Sequence, residues 1–403
     1  MEIFVINSGS SSIKYQLFSQ DSSSPLCSGL VERIGQPDAL ITHKYRQHDE
    51  EKVLYIQQQV PDHEAGMQAV GELLIRDGIA VIRDSGQVGA VGHRVVHGGE
   101  KLTGTTVITP GVKDKIKALY PLAPLHNPGH IKGIEVSEKI FPQAVQIAVF
   151  DTAFHTSLPE KAFRYAIPDS FYKNHGIRVY GFHGISHQYV SGEAMKYLNH
   201  TDAKLITIHL GNGCSMAAVN GGKSVDTSMG LTPLDGLIMG TRSGSIDASV
   251  LLYLSEQENY STEQLTTLLN KQSGMQGLTG HNDMRDISAL YNNGNDRAEL
   301  AYEMYAYRIK KFIGAYAAAM NGLDAIVFTA GVGENDALAR DLVCRNMDFL
   351  GIKLDNAKNS EKGNGIRDLS APASRARILV VPTNEELEIA RQCRQLLGET
   401  TGR

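Results

Sequence analysis

Cysteine is scarce in this 403-residue chain. Its four copies, Cys27, Cys214, Cys344 and Cys393, are scattered, and no Cys-x-x-Cys pair occurs. That argues against a disulfide framework or a cysteine zinc site and leads to the expectation of a reducing, cytoplasmic setting. A basic surplus is also missing. Lys and Arg number 39 against 44 Asp and Glu, a formal net charge of -5, so the composition offers no positive surface for nucleic acid or an anionic membrane. No apolar run approaches the ~20 residues needed to cross a bilayer. The first apolar run, residues 3–6, is short and strand-like, unlike the basic start and apolar core of a signal peptide. No long low-complexity linker interrupts the chain, and the richest loop, 356–365, reads as a surface insertion. A 42% hydrophobic, 21% charged chain of this length is an ordinary globular protein too long for one core, so two domains are expected.

The stretch "IFVINSGSSSIKYQLF" opens the chain with a strand, breaks it at Asn7 with a glycine and serines, and resumes at Ile13. A turn alone needs only two to five residues of this type. A loop whose amides and hydroxyls face an anion is the alternative. An echo lies about 200 residues on: "LITIHLGNGCSMAAVNGGKSVDTS" again runs strand, Gly/Asn/Ser loop, strand, and then turns into a third strand. Two such units suggest two related halves. Between and after them come a buried strand at 145–150 with Asp151 at its end, strands in "VGAVGHRVVHGG" and "LDAIVFTAGVGEN", and helices over 262–270 and 296–321. "ILVVPTNEELEIARQCRQLL" reads as a strand, a proline turn and a helix capped by Thr383 or Asn384. Strands alternating with helices indicate an α/β fold with parallel or mixed sheets.

Four glycine-bearing loops follow predicted strands, beginning at Asn7, Gly211, Thr241 and Gly331. Ligands gather at the carboxyl ends of strands in open α/β sheets, where glycine lets main-chain amides approach a phosphate. One such loop is ordinary; several in one chain point to nucleotide binding. Neither common motif fits. Ala217 stands where a P-loop ending in Gly222-Lys223-Ser224 requires its first glycine. Met216 and Asp336 occupy the last position of the two G-x-G-x-x-G candidates.

The blocks "NSGSSSIKY", "GHRVVHGGE", "PLAPLHNP", "VFDTAFH", "YGFHGISH", "HLGNGCS", "SVDTSMGLTPLDG", "GTRSG", "GVGEN" and "PTNEE" occur in that order over nearly the whole chain. Together they resemble the acetate kinase (acetokinase) family, within the superfamily of acetate and sugar kinases, heat-shock chaperones and actin. The resemblance implies two duplicated ribonuclease-H-like (actin-like) α/β domains with an ATP cleft between them. The domains would span 1–150, completed by 385–403, and 151–384. It also implies reversible phosphoryl transfer from ATP to acetate, giving acetyl phosphate and ADP, with magnesium (manganese as a substitute) and a homodimer.

Acetate is already ionised at pH 7, so this reaction needs no strong base; the obstacle is bringing two anions together. Arg94 and Arg242 each carry a fork suited to carboxylate or phosphate, although either read alone is an ordinary ion pair. The resemblance places both at the transfer site, makes His183 the histidine that stabilises the transition state, and adds His126. It assigns Asp151 to magnesium and substrate positioning. Glu385 and Asn7 serve the metal, though Glu385 and Glu386 alone read as helix-start carboxylates. Val96, Leu125, Phe182 and Pro233 would surround the methyl group. Lys14, His209, Leu210, Gly211, Asn212, Gly213, Asp283, Met284, Arg285, Gly331, Val332, Gly333, Glu334 and Asn335 would bind nucleotide. One departure is Gly280-His281-Asn282, where relatives more often carry serines. His183 and His187 are spaced i, i+4, but without H-E-x-x-H no zinc site is expected. A propionate kinase is the alternative within enzymes; a nucleotide-switched chaperone or filament protein is the alternative from another class.

Overall fold

A computed structural model describes residues 1–9, 11–47, 50–124 and 126–401. The chain divides into two compact units, Met1–Ala153 with Asn384–Arg403, and Phe154–Thr383. Asp151 thus lies in the first unit.

The first unit is built on eight strands: β1 (Glu2–Ser8), β2 (Ser12–Ser19), β3 (Pro25–Glu32), β4 (Leu40–Gln47), β5 (Glu50–Gln57), β6 (Val88–Val95), β7 (Thr106–Val107) and β8 (Val145–Phe150). Their order is β5-β4-β3-β2-β1-β6-β8-β7. β1 to β5 form an antiparallel meander, β1, β6 and β8 run parallel, and β7 closes the edge antiparallel. Ile3, Phe4, Val5 and Ile6 are all buried, because both faces of β1 are covered. Phe4 and Ile6 join a core with Met67 and Val70 of helix His63–Ile75 and Val136 of helix Asn127–Ile140. Helix Glu385–Thr401 packs on β1 and β6. Gly92 permits that approach, since a methyl group there would come within 2.8 Å of both Ile389 and Cys393.

The second unit has six strands: β9 (Lys204–Leu210), β10 (Cys214–Asn220), β11 (Lys223–Thr227), β12 (Ala325–Thr329), β13 (Arg367–Asp368) and β14 (Arg377–Val380). Their order is β11-β10-β9-β12-β14-β13. The antiparallel run β9-β10-β11, the parallel trio β9, β12 and β14, and the antiparallel edge β13 repeat the ladder of β1-β2-β3, β1-β6-β8 and β7. The faint sequence echo is therefore a duplicated sheet, to which the first unit adds β4 and β5.

Three local expectations change. Thr241 to Gly244 follows no strand; residues 228–247 are irregular. The run from Gly331 to Asn335 is not a loop but most of a short helix, Ala330–Asn335, entered through a left-handed Ala330 (φ 64°). Buried Arg340 stabilises it, donating to Gly333 O (2.9 Å), Asn359 Oδ1 (2.8 Å) and Asn359 O (3.0 Å). The 356–365 segment, otherwise exposed, begins with helix Asn356–Ser360 and supplies that buried Asn359. The helix after Thr383 forms as expected, with Asn384 Oδ1 accepting from the Leu387 amide at 3.0 Å.

Candidate functional site

In the first unit, polar side chains gather at the carboxyl ends of β1, β6 and β8. Arg94, near the end of β6, donates from Nη2 to Asp151 Oδ2 and from Nη1 to Asn7 Oδ1 at 3.3 Å. Its Nε stands 3.8 Å from Glu385 Oε2, at the first residue of helix Glu385–Thr401. Asp151 is 1% exposed, held by its amide to Val95 O at 3.0 Å, and its Oδ1 is buried without a hydrogen-bond partner. Burial pushes its carboxyl up to about 6, Arg94 opposes this, and the like charge of Glu385 reinforces it. Burial also disfavours the Arg94 charge, but Asp151, Glu385 and Glu386 outweigh it and hold the guanidinium above its usual range.

A buried carboxylate with an idle oxygen, repelled by a second carboxylate, suits a hard divalent cation. No group of three or more His, Cys, Asp and Glu side chains able to hold a metal occurs among the described residues. A magnesium-type ion takes one or two carboxylates and completes its shell with water and phosphate oxygens. Asp151, Glu385 and Asn7 offer the oxygens.

Nearby, His126 occupies the cap position of helix Asn127–Ile140. One turn on, His130 is buried with neither ring nitrogen hydrogen-bonded, and burial together with the Arg94 charge depresses it to about 3. Val96, just past β6, is 5% exposed. Leu125 lies outside the described residues. Lys14 pairs with Glu386 at 2.9 Å, so the two helix-start carboxylates each face a cation, Glu385 toward Arg94 and Glu386 toward Lys14.

The second unit holds a cavity of about 1060 Å³. Of the residues singled out for nucleotide, Gly211, Asn212, Asp283, Met284, Arg285, Gly331, Val332 and Asn335 line it. Asn282, Ser288, Asp336, Ala337 and Leu338 do too. Sequence reasoning missed these five, although Asp336 directly follows the GVGEN block and Asn282 belongs to the departing Gly280-His281-Asn282 stretch. Gly331 presents open space where a side chain would stand. Asp283 caps helix Met284–Asn292 and also receives Arg285 Nη2 at 2.5 Å; that pairing holds its carboxyl down at about 2.

The remaining residues of that set do other things. Leu210 is core. A methyl group on Gly333 would abut Phe328 and Ile208 O at 3.5–3.6 Å. Glu334 Oε1 accepts from the Thr383 amide at 3.1 Å. His209 stacks on His183 with centroids 4.2 Å apart.

His183 stands at the N-terminus of helix Gly184–Leu198 in a left-handed conformation, φ 55°. Such a backbone costs about 1–3 kcal/mol for a non-glycine residue and recurs at functional sites. His183 Nδ1 and His187 Nε2 share Ser215 Oγ, at 2.8 and 2.7 Å, so the i, i+4 pair meets on a hydroxyl. His183 and Arg242 converge on Gly213: a methyl group there would sit 3.4 Å from His183 Cε1 and 3.5 Å from Arg242 Nη1. Arg242 Nη1 donates to Pro233 O at 3.1 Å, and burial lowers its pKa. Phe182 is buried, its carbonyl bound by His155 Nε2 at 3.1 Å.

Comparison with known proteins agrees over the full length. The sequence profile described as the Acetokinase family matches residues 2–391. The acetate kinase of Flavobacterium johnsoniae is 52% identical over 397 residues, covering 98% of this chain and 100% of that protein. That of Nitratidesulfovibrio vulgaris is 51% identical, covering 97% and 98%. Among solved structures, Porphyromonas gingivalis acetate kinase superposes with TM-score 0.91 at 43% identity, covering 98% of this chain and 99% of that one. A propionate kinase from Francisella tularensis superposes with TM-score 0.89 at 43% identity, covering 97% and 98%.

Proposed function

The chain belongs to the acetokinase family, and from that premise we propose that it is an acetate kinase, reversibly moving the γ-phosphoryl group of ATP to acetate. The observation that carries this reading is the Asn7–Arg94–Asp151–Glu385 cluster. It combines a half-buried cationic fork with carboxylate oxygens for a metal, as a reaction between two anions requires.

A carboxylate oxygen of acetate forms the new bond to γ-phosphorus as the bond from phosphorus to the β–γ bridging oxygen breaks, and ADP departs with that electron pair. No proton need move. Arg94 holds the acid by its carboxylate. In the first unit Val96 borders the methyl group; the resemblance adds Phe182 and Pro233 of the second unit, and Leu125, which lies outside the described residues, to the acid's apolar contacts. Arg242 and His183, with His126, neutralise charge on the transferred phosphoryl oxygens. Asp151, Glu385 and Asn7 would hold a magnesium ion, with manganese as a substitute, and the bound ion would supply positive charge to the phosphate oxygens. The second unit's cavity takes the nucleotide, with Gly211 and Gly331 giving its main chain close approach and Asn212, Asp283, Arg285 and Asn335 polar contacts. Lys14, His209 and Glu334 contribute by holding the loops and helix starts around them.

We also assign a homodimer and a cytoplasmic setting. Helix Ala248–Gln257 buries none of its residues although Leu252 and Tyr253 are more than 60% exposed, which a second copy would cover. All four cysteines are buried free thiols, as suits a reducing compartment.

The test is an acyl-phosphate (hydroxamate) assay over short-chain acids, with and without magnesium. Magnesium-dependent acetyl phosphate formation, with acetate preferred, is expected. Activity confined to propionate would favour the second reading, which the similarity to the Francisella tularensis propionate kinase motivates. No acyl phosphate from any acid would overturn both.

A further inference from the structure

The second unit contains a buried histidine that this mechanism does not use. His187 is fully buried, and each of its ring nitrogens faces a hydroxyl, Nδ1 with Thr207 Oγ1 at 2.7 Å and Nε2 with Ser215 Oγ at 2.7 Å. Ser215 Oγ lies 2.8 Å from His183 Nδ1, and Thr207 Oγ1 donates to the Ala217 carbonyl at 3.4 Å. The antiparallel register of β9 and β10, which pairs Thr207 with Ala217 and His209 with Ser215, sets this row of groups.

Proton counting gives the row a direction. The Ala217 carbonyl can only accept, so the Thr207 proton points to it and the Thr207 oxygen is left to accept from His187 Nδ1–H. Burial keeps His187 neutral, well below its usual pKa, so its Nε2 is an acceptor and takes the Ser215 proton. The Ser215 oxygen then accepts from His183 Nδ1–H. In the opposite polarity Thr207 donates to His187, the carbonyl contact is lost, and Ser215 aims its proton at His183 Nδ1. That arrangement cannot coexist with a doubly protonated His183.

We propose that Thr207, His187 and Ser215 form a poled relay that keeps a proton on His183 Nδ1, so that His183 meets the phosphoryl group through Nε2 and can carry its second proton there. The three are positioning residues, and the inference rests on the reading of His183 given above. Two positive groups stand near His183: the Arg242 guanidinium, which converges with it on Gly213, and the N-terminus of helix Gly184–Leu198. The other groups facing it are stacked His209, itself bound to Ser186 Oγ at 2.9 Å, and, beyond Ser215, His187 with His155 edge-on to it. Burial holds His155 down at about 4. The Ser215 acceptor at Nδ1 favours the charged form of His183.

The test uses Thr207→Val, which keeps shape and removes the hydroxyl, Thr207→Ser, which restores it, and His183→Ala as reference. Thr207→Val is expected to lower kcat about tenfold with both KM values unchanged and to move the alkaline limb of kcat down by about one pH unit. Thr207→Ser should return both to wild type. Nitrogen-15 spectra of ring-labelled, substrate-free wild type should show His183 protonated at Nδ1, and Thr207→Val should move that proton to Nε2. A severe loss in His183→Ala together with a wild-type rate and pH profile in Thr207→Val would overturn the relay and leave the role of His183 standing. If His183→Ala keeps full activity, the reading of His183 fails instead. The ring spectra decide the relay on their own, including where a variant does not fold: an Nε2–H tautomer in the wild type refutes it.

Discussion

β1, β6 and β8 of the first sheet and β9, β12 and β14 of the second share one order and one set of directions, yet their carboxyl ends carry different chemistry. The first ends in Asn7, Arg94 and Asp151, an amide and an ion pair tied to one another, with Asp151 buried and Asn7 and Arg94 half-buried. The second ends in Gly211-Asn212 and in helix Ala330–Asn335, small groups bordering an open cavity. A buried charge is costly unless a partner offsets it, so a site built from such charges recognises little besides ions of matching sign. Amides and glycines beside a large cavity leave room for a bulky ligand with an apolar ring. On the proposed reading, one ladder, loaded twice, would divide the work between a small anion with its metal and a nucleotide.

The largest effects should come from breaking the charged end. Asp151→Asn removes the idle buried oxyanion but keeps an acceptor for Arg94, and we expect kcat to fall at least ~100-fold with the protein still folded. Arg242→Ala, in the second unit, should cost as much. Steady-state rates on variants with wild-type circular dichroism check this, and a near-normal rate in Asp151→Asn would remove the carboxylate from the metal and transfer role.

Breaking the other end should separate the two substrates. Gly331→Val places a side chain in the nucleotide cavity, where nothing else stands, so KM for ATP should rise about thirtyfold with KM for acetate nearly unchanged. Gly333→Val is the contrast. It presses on Phe328 and Ile208 O, so it should lower thermal stability before it affects nucleotide. Equal losses for acid and nucleotide in Gly331→Val would dissolve the division of labour.

A pH experiment sharpens the same comparison. The Asp151 pKa is raised from 3.8 to about 6. A carboxyl raised in the folded state favours folding at low pH, and that contribution is lost as pH rises from about 4 through 6. Asp151→Asn does not titrate, so its stability relative to wild type should increase over that window by up to about 3 kcal/mol, at 1.36 kcal/mol per unit. Activity runs the other way: protons compete with the metal for Asp151, so the magnesium requirement should climb as pH falls below about 6. Denaturant melts at pH 4 and 7 and magnesium titrations at pH 5 and 7 measure the two effects. A pH-independent stability difference would show that Asp151 is ionised throughout.

Much of this was legible in the chain, and what was not has a physical reason. Strand 145–150, the Asn384 cap and the duplicated strand–loop–strand units show locally, through apolar runs and capping residues. The Gly331 helix did not, because two glycines in five residues disfavour helix, and Arg340, held by Asn359 from outside the segment, stabilises it instead. Thr241 to Gly244 looked like a strand-end loop because glycine reports turning and not what precedes it. The partnership of Ser215 with His187 was silent, since it arises from the register of β9 on β10, which no local pattern encodes.

The smallest expected effect tests how the charged end chooses its acid. With Arg94 on the carboxylate, the group two positions on, Val96, shares its face where the chain is extended. Val96 is buried just past the end of β6, so its branched side chain cannot swing into solvent to make room. On the proposed reading a methyl group would fit beside it and an ethyl group would be crowded. One methylene carries about 1–3 kcal/mol of discrimination, so wild type should prefer acetate and still use propionate. Val96→Ala should raise the propionate-to-acetate ratio of kcat/KM about tenfold, chiefly through a lower KM for propionate, while the proposed nucleotide cavity, which belongs to the second unit, should leave the nucleotide KM unmoved. A wild type already favouring propionate, or a ratio indifferent to the substitution, would mean that Val96 does not set the size of the acid.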